Sequence, residues 1–422
     1  MNNFNAGLTT PGEKENIPKP MNNYMTRLFS VILLLLSLFP SFATEPLERL
    51  LRSGKIDPKQ SALLVTDLSD GRVIDAHNTS APFIPASIMK CVTIASLLPE
   101  SGTSYRYQTR ILADAPVNKG ILEGNLIIEG AGDPSIDAGC EPAGPDFVQE
   151  VVKILKNKGI KRIEGKVIID KSVFTSPAIH PTWAAADTKQ KYGTGCHGFN
   201  YRHNATGNQA VADPSALFRR NLATALSSAG ITLAGKTLEE GERKELGIYR
   251  SAQIDEIMRS CMMRSDNLFA EALLRTLPVV SGKPGDTTEA AAMEIDYWQK
   301  KGVPTEGVRI IDGSGLSRTN RVTADFMGGI LTEMSDNPDY ASFLPLAGQE
   351  GTLASFLKDT PLDSYIAMKT GSMNGIQCYA GYKLDEDFVP THVIVLILNA
   401  LPKGRPAARQ AFANYLLETF PQ

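Results

Sequence analysis

The stretch Pro85-Ala86-Ser87-Ile88-Met89-Lys90 places a lysine three residues after a serine. On a helix these two side chains share one face, so the amine of Lys90 can reach the hydroxyl of Ser87. A serine hydroxyl becomes a good nucleophile only when a neighbouring base takes its proton, and the five histidines are scattered without a Ser-His-Asp pattern. The stretch therefore predicts a nucleophilic serine, Ser87, and a lysine general base, Lys90.

A second motif, Ser265-Asp266-Asn267, stands much later in the chain. Apolar residues at helical spacing lead into it and out of it, which predicts a connection between two helices. Such a connection is a good place to present side chains to a cleft. We expect Ser265 to relay protons and Asn267 to bind a carbonyl group of the substrate.

The third motif, Lys369-Thr370-Gly371, ends a short apolar run that predicts a strand. Its lysine and threonine are expected to bind a substrate carboxylate, and its glycine leaves room for a peptide along the strand. Burial and a neighbouring cation both lower the pKa of a lysine, so Lys369 is expected to lie near Lys90. The backbone N–H groups of Ser87 and Ser372 are the candidate oxyanion hole.

Other copies of these sequence patterns occur, but their places in the chain argue against a catalytic role. A chain of this length contains roughly two Ser-x-x-Lys spacings by chance. The second, Ser355-Phe356-Leu357-Lys358, ends only eleven residues before Lys369 and leaves no room for a middle motif. Ser335-Asp336-Asn337 is followed by Pro338, and Asn-Pro favours a surface turn.

Composition excludes one class of partner. The chain has 422 residues, 42% of them hydrophobic, and a formal net charge of −3. A chain of this length and apolar content can build two or more cores, but its charge provides no positive field for a polyphosphate. We therefore expect no nucleic acid among the partners.

The N-terminal segment resembles an export signal. Arg27 precedes the apolar stretch 28–39, and Ser41-Phe42-Ala43 has the form of a signal-peptidase site. The apolar stretch is short for a membrane span, so we expect cleavage and no stable transmembrane anchor afterwards. The mature chain is expected to begin near Thr44 and to reach the periplasm.

The pattern of elements predicts an α+β catalytic domain that is interrupted by a β-rich insertion. The predicted parts are a removed leader and signal peptide (1–43), the first part of the catalytic domain (44–100), inserted accessory structure (101–250) and the second part of the catalytic domain (251–422). The strands that the sequence predicts most clearly lie at 61–66, 72–76, 124–129, 165–170, 365–371, 377–384 and 391–399. One helix is clearly predicted to begin after Asp146, and three others are predicted at 216–229, 286–301 and 407–417.

Together with the motif around Ser87, three longer segments carry a resemblance to a known family: Gly130-Ala131-Gly132-Asp133-Pro134, residues 312–318 (DGSGLSR) and residues 369–375 (KTGSMNG). They resemble the D-alanyl-D-alanine carboxypeptidase/endopeptidase family, the class C low-molecular-mass penicillin-binding proteins or peptidase family S13. The resemblance implies a penicillin-binding and serine β-lactamase-like core, an antiparallel sheet flanked by helices. It also implies hydrolysis of peptidoglycan stem peptides or their D,D cross-links, and acylation by β-lactam antibiotics.

The same resemblance implies a pocket for a diaminopimelate-type side chain. Asp187 and Tyr192 match its acid and its aromatic wall, and Arg318 and Asn374 complete the match. An acid suits an ammonium group and an arginine suits a carboxylate, so the pocket would accept a zwitterionic end.

Two other functions are compatible with the residues. One is a serine β-lactamase or esterase that hydrolyses its acyl-enzyme rapidly. The other is a cell-wall-binding protein that has kept the fold and lost catalysis. We expect no cofactor and no metal, because Cys196, His197 and His203 fit no standard zinc spacing. The five cysteines lie far apart and imply no disulfide pairing.

Overall fold

The computed structural model describes residues 44–401 and 404–421. The predicted leader and signal peptide, residues 1–43, lie outside the described residues. The described helices are α1 (Glu45–Ser53), α2 (Met89–Ser101), α3 (Phe147–Asn157), α4 (Pro214–Ser228), α5 (Ile254–Arg264), α6 (Asn267–Val280), α7 (Thr287–Lys300), α8 (Ala324–Met334), α9 (Pro338–Ser342) and α10 (Arg405–Thr419). The described strands are β1 (Ser61–Asp67), β2 (Val73–His77), β3 (Gln108–Ala113), β4 (Val117–Asn118), β5 (Ile121–Leu122), β6 (Leu126–Glu129), β7 (Arg162–Ile163), β8 (Val167–Asp170), β9 (Ala205–Thr206), β10 (Gln209–Ala210), β11 (Thr232–Leu233), β12 (Lys244–Arg250), β13 (Ile366–Met373), β14 (Ile376–Leu384) and β15 (Pro390–Leu398).

The largest sheet has five antiparallel strands in the order β13-β14-β15-β1-β2. Strands β1 and β2 come from the start of the described chain, and the other three come from its end. The pairing of β1 with β15 runs from Ser61 opposite Leu398 to Asp67 opposite His392. One sheet is therefore assembled from two distant parts of the sequence.

Helices cover both faces of this sheet. Side chains of a strand alternate between the two faces, and strand β15 shows the result. Val393, Val395 and Ile397 pack into an apolar cluster that includes helices α2, α5, α6 and α8. Ile394, Leu396 and Leu398 pack into a second cluster that includes α1 and α10. The nearly unbroken apolar run of β15 is what burial on both faces requires.

The segment between α2 and α5 builds the smaller sheets. One has the order β12-β3-β6-β8 and the other β11-β7-β5-β4, and β9 and β10 form a hairpin. All of these strands lie between residues 108 and 250, and the two sheets share an apolar core with α3 and α4. This arrangement agrees with an insertion, and its boundaries at 100 and 250 stay a prediction.

Several predicted elements have different ends in the structure, for local reasons. The helix expected from residue 216 begins at Pro214, because Asp213 caps it by accepting the Ala216 N–H and proline suits a first turn. The helix expected to start near Ser87 begins at Met89 instead. Ala86–Ile88 form a 3₁₀ turn that leads into it.

Candidate active site

Ser87 and Lys90 lie at the start of helix α2. Ten consecutive residues of this helix, from Met89 to Leu98, are buried, as expected for a helix packed on all sides. The side chain of Lys90 is therefore held inside the protein, with 0% of its surface exposed. Its Nζ lies 3.0 Å from Ser87 Oγ, which is half-buried.

The hydrogen bonds of Lys90 indicate which form of the amine can act as a base. Nζ donates to Asn267 Oδ1 and to the carbonyl oxygen of Ser314, each at 2.7 Å. These two oxygens can only accept, whereas a serine hydroxyl can also donate. A neutral amine has two N–H groups for these acceptors and one lone pair, which then faces Ser87 Oγ. Burial lowers the pKa of Lys90 from its ordinary value and favours this neutral form.

Ser265 lies at the end of α5 in the left-handed conformation, with φ 56° and ψ 41°. This turn separates α5 from α6, as predicted, and lets Asn267 begin the next helix. Ser265 Oγ accepts a hydrogen bond from Lys369 Nζ at 2.9 Å, and Lys369 also donates to the carbonyl of Thr370 at 2.7 Å. Burial, together with the charge of Lys90, lowers the pKa of Lys369 to about 7.

Asp266, the middle residue of this motif, has a partner that sequence reasoning missed. Its side chain caps α6 by accepting from the Phe269 N–H at 3.2 Å, and it accepts from Nε2 of His203 at 2.7 Å. Burial alone raises the pKa of Asp266, but the hydrogen bond and charge of His203 outweigh it and hold the pKa below its ordinary value. His203 belongs to the segment between α2 and α5, so that segment directly supports the turn that carries Ser265 and Asn267.

Lys369, Thr370 and Gly371 lie on β13, the edge strand of the central sheet. The first half of its free edge is covered by backbone hydrogen bonds with residues 345–347. The next part of the strand borders the turn that carries Ser87. Thr370 Oγ1 donates to Thr352 Oγ1 at 2.8 Å, a contact that no motif indicated. The exposed hydroxyl of Ser372 donates to Gln377 Oε1 at 3.0 Å.

Gly371 has a role beyond leaving room for substrate. A Cβ atom there would lie 2.7 Å from the carbonyl oxygen of Pro85 and 3.0 Å from the backbone nitrogen of Ser87. The strand and the turn that carries Ser87 thus approach so closely that only a glycine fits without displacement. The Ser87 N–H, one of the two expected oxyanion donors, is held at this contact.

We expect Gly371→Ala to slow acylation by a β-lactam by about 10²-fold, because the added methyl displaces the Ser87 N–H and losing one oxyanion donor costs about that much. Stopped-flow or quenched measurement of the acylation rate constant checks this. Circular dichroism of the variant provides the control for folding. A folded Gly371→Ala protein that acylates at the wild-type rate would contradict the assignment of this N–H.

A second glycine, Gly315, also lies against the turn that carries Ser87. A Cβ atom at this position would overlap the carbonyl oxygen of Ala86. Ala86 itself has a φ of 46°, an uncommon conformation for a residue with a side chain. Backbone of this kind persists only where the surrounding structure fixes it, and here it sets the direction of Ser87.

The structure places the four expected pocket residues in two pairs. The hydroxyl of Tyr192 donates to Asp187 Oδ1 at 2.6 Å, and the guanidinium of Arg318 donates to the carbonyl of Asn374 at 3.0 Å. The first pair is tied to the catalytic motifs, since Asn267 Nδ2 donates to the carbonyl of Tyr192 at 2.8 Å.

Two further contacts hold the loop that carries Asp187 and Tyr192. Trp183 Nε1 donates to Asp312 Oδ2 at 2.8 Å, and Thr182 Oγ1 lies 2.6 Å from Ser317 Oγ. Asp312 and Ser317 belong to the segment that ends at Arg318. The loop of Asp187 and Tyr192 and the segment of Arg318 are therefore fixed against each other.

The alternative copies of the motifs have other surroundings. Ser355 and Lys358 are exposed, and Ser355 Oγ accepts from Arg409. Ser335 ends helix α8, as a residue of a turn would. In residues 44–401 and 404–421, no group of three or more His, Cys, Asp or Glu side chains is arranged to hold a metal ion. The five cysteines are free thiols.

Comparison with known proteins identifies relatives of similar length. Carboxypeptidase DacB of Mycolicibacterium smegmatis is 25% identical over 366 residues, which cover 81% of this chain and 77% of that protein. D-alanyl-D-alanine carboxypeptidase DacB of Haemophilus influenzae is 22% identical over 440 residues, which cover 86% of this chain and 90% of that protein.

A solved structure shows the fold. Penicillin binding protein 4 (dacB) from Haemophilus influenzae superposes with a TM-score of 0.77 at 21% identity, and the match covers 89% of this chain and 98% of that one. The predicted α+β penicillin-binding fold is thereby confirmed. The model of the D-Ala-D-Ala carboxypeptidase 3 (S13) family matches residues 43–207 and 194–416. The chain belongs to this family of serine-type hydrolases, as its motifs predicted.

Proposed function

We propose that this protein is a serine-type D-Ala-D-Ala carboxypeptidase and D,D-endopeptidase that acts on peptidoglycan stem peptides and is acylated by penicillin. One observation carries the proposal. Lys90 is fully buried, its Nζ lies 3.0 Å from Ser87 Oγ, and its other two hydrogen-bond partners can only accept. This arrangement favours a neutral lysine that takes a proton from a serine, the first requirement of an acyl-serine enzyme.

The proposed reaction has two steps. Ser87 Oγ attacks the carbonyl carbon of the penultimate D-alanine while Lys90 takes the hydroxyl proton. The N–H groups of Ser87 and Ser372 stabilise the oxyanion. The C–N bond then breaks, and the leaving amine receives a proton through Ser265. Water hydrolyses the resulting ester and restores the serine.

Lys369 and Thr370 are proposed to bind the carboxylate of the terminal D-alanine. In the described part of the chain, two of the three N–H groups of an ammonium at Lys369 have partners, Ser265 Oγ and the Thr370 carbonyl. The third is available to a carboxylate, and the hydrogen bond would be charge-assisted. A penicillin carries a carboxylate and a strained amide in a similar arrangement, which is why it acylates such a site.

Relatives support the same reaction class. The D-alanyl-D-alanine carboxypeptidase of Haemophilus influenzae covers most of this chain, and one structure of penicillin binding protein 4 from that organism contains a β-lactam. Solved endopeptidases from Bdellovibrio bacteriovorus share the fold at TM-scores of 0.53 to 0.54. The endopeptidase part of the proposal is supported by the fold alone.

We also propose that the protein is exported to the periplasm and that its catalytic domain is split by an insertion. The apolar stretch at 28–39 and the cleavage motif at 41–43 support export. Across residues 44–401 and 404–421, no helix is long and apolar enough to span a bilayer. The five-stranded sheet, built from residues 61–77 and 366–398, supports the split domain and the insertion at 101–250.

The function is tested by digestion of purified muropeptides with the protein from residue 44 onward. Release of free D-alanine from pentapeptides and conversion of cross-linked dimers to monomers are the expected products. Pretreatment with benzylpenicillin should stop both. Rapid turnover of nitrocefin with no change in the muropeptides would favour a β-lactamase instead. Intact muropeptides together with intact penicillin would favour a non-catalytic cell-wall protein.

We further propose that Asp187, Tyr192, Arg318 and Asn374 bind the free end of a diaminopimelate-type side chain. Asp187→Asn is expected to raise the KM for a stem peptide with a free side-chain ammonium by about tenfold, because one charge-assisted hydrogen bond is lost. Steady-state kinetics with that peptide and with its N-acetylated form measure the effect. The acetylated peptide serves as the matched control, since its KM should not change. An equal rise for both peptides would contradict the assignment.

A further inference from the structure

A cluster of buried ionisable side chains lies near the proposed active site and has no part in the reaction described so far. Glu271 of α6 and Arg275, one turn later, are each 1% exposed, and Glu294 of α7 and Asp312 are 0% exposed. Burying an ionisable group is costly unless a partner compensates for the lost water. The position of Glu271 in this cluster connects it to the proposed base.

Glu271 reaches Lys90 through one intervening residue. Its Oε1 accepts the backbone N–H of Ser314 at 2.9 Å, and the carbonyl of the same residue accepts from Lys90 Nζ at 2.7 Å. Asn267, four residues before Glu271 on the same face of α6, binds Lys90 directly. Two side chains of one helix therefore hold the amine, one by contact and one through Ser314.

The titratable groups around Glu271 come from several elements. They are Lys90 of α2, Cys261 of α5, Arg275 of its own helix, Glu294 of α7, Cys196 of the inserted segment, and Asp312. Burial, and next the charge of Asp312, raises the pKa of Glu271 to about 7, although Arg275 opposes the rise. The Glu271 carboxyl thus titrates in the range in which the enzyme is expected to work.

Glu294 provides a control position, because it is buried like Glu271 but does not hold the Ser314 backbone. Neither of its carboxyl oxygens has a hydrogen-bond partner within the part of the chain that the structure describes. Burial, and next the charge of Glu271, raises the pKa of Glu294 well above its ordinary value. Both effects favour the neutral acid at Glu294, so glutamine at this position is expected to change the local charge little.

We propose that Glu271 is a positioning residue for acylation, whose carboxylate holds the Ser314 backbone and whose negative charge raises the proton affinity of Lys90. This inference rests on the proposed function. An ionised Glu271 favours the protonated lysine, which cannot accept the proton of Ser87, and a neutral Glu271 favours the free amine. Asp266 and Asp312 also favour the protonated lysine, so Glu271 is one of three carboxylates that act on Lys90.

The test is the pH dependence of the acylation rate constant with nitrocefin or benzylpenicillin, measured from pH 5 to 9. In Glu271→Gln, the side-chain carbonyl still accepts the Ser314 N–H, but the charge is lost. The acidic limb of the profile is expected to move to lower pH by about one unit, because the protonated lysine loses a nearby anion. Glu294→Gln is the matched control, and the acidic limb of its pH–rate profile should coincide with that of the wild type.

A Glu271→Gln enzyme that acylates more slowly by the same factor at every pH would overturn the electrostatic role of Glu271. An equal shift in Glu294→Gln would overturn it as well. If Glu271→Gln does not fold, Glu271→Asp provides the test, since it keeps the charge and shortens the reach. The Glu271→Asp enzyme should have a lower acylation rate constant at every pH, with the acidic limb of the profile unmoved. A shift of that limb would contradict the proposal. A wild-type protein that forms no adduct at any pH would refute the proposed function itself.

Discussion

Ser87→Ala is expected to abolish the covalent adduct with benzylpenicillin. The wild-type protein should gain the mass of one penicillin per chain, since Ser87 Oγ lies 3.0 Å from Lys90 Nζ and is the nucleophile of the proposed reaction. An alanine side chain has no oxygen with which to form the ester, so the loss should be complete. Intact-mass spectrometry of both proteins after incubation with the antibiotic measures it.

Ser355→Ala is the matched control for this experiment. Ser355 also stands three residues before a lysine, but both side chains are exposed and its hydroxyl is bound by Arg409. The Ser355→Ala protein should acylate as the wild type does. An adduct that persists in Ser87→Ala, or that disappears in Ser355→Ala, would show that the wrong serine has been assigned.

Lys90→Met is expected to lower the acylation rate constant by about 10²- to 10⁴-fold, the usual contribution of a general base. Methionine fills most of the space of the buried lysine side chain and has no amine. Ser87 would then keep its hydroxyl and lose the group that takes its proton. The rate constant with a chromogenic β-lactam, measured near pH 8, checks the prediction.

Folding of the Lys90 variant needs its own measurement, because Lys90 binds Asn267 and Ser314 as well as Ser87. Removing a buried hydrogen-bonded group leaves its partners unsatisfied and destabilises a protein. Thermal unfolding shows whether the variant is folded at the assay temperature, and Lys358→Met is the control for a surface lysine of the same spacing. A folded Lys90→Met protein with wild-type acylation would exclude Lys90 as the base.

The sequence predicted the parts of the site that depend on local geometry. The spacing of Ser87 and Lys90 indicates that they meet, because residues three apart share a helix face. The turn at Ser265 between two helices followed from apolar periodicity on both sides. The structure brings the three motifs together through Lys90 with Asn267 and Lys369 with Ser265.

The sequence could not predict contacts that depend only on tertiary structure. His203 and Asp266 are 63 residues apart, and Glu271 and Ser314 are 43 apart. No spacing rule connects such pairs, since each requires that two separate elements pack in one particular way. The close approach of Gly371 and Gly315 to the backbone of residues 85–88 is of the same kind. Glycine in a motif shows that space is limited, but not which neighbour limits it.

The pairing of β1 with β15 has a consequence for the order in which the protein becomes active. Ser87 follows the first strands of the central sheet, whereas Lys369 lies on a strand that is synthesised nearly 300 residues later. Contacts of such high sequence separation form slowly, because a long loop must close before they stabilise the chain. A ribosome-bound chain therefore contains Ser87 without the sheet that completes its surroundings. Hydrolytic activity is acquired only after the last strands have joined the first, which keeps the enzyme inactive until its whole chain is available to fold.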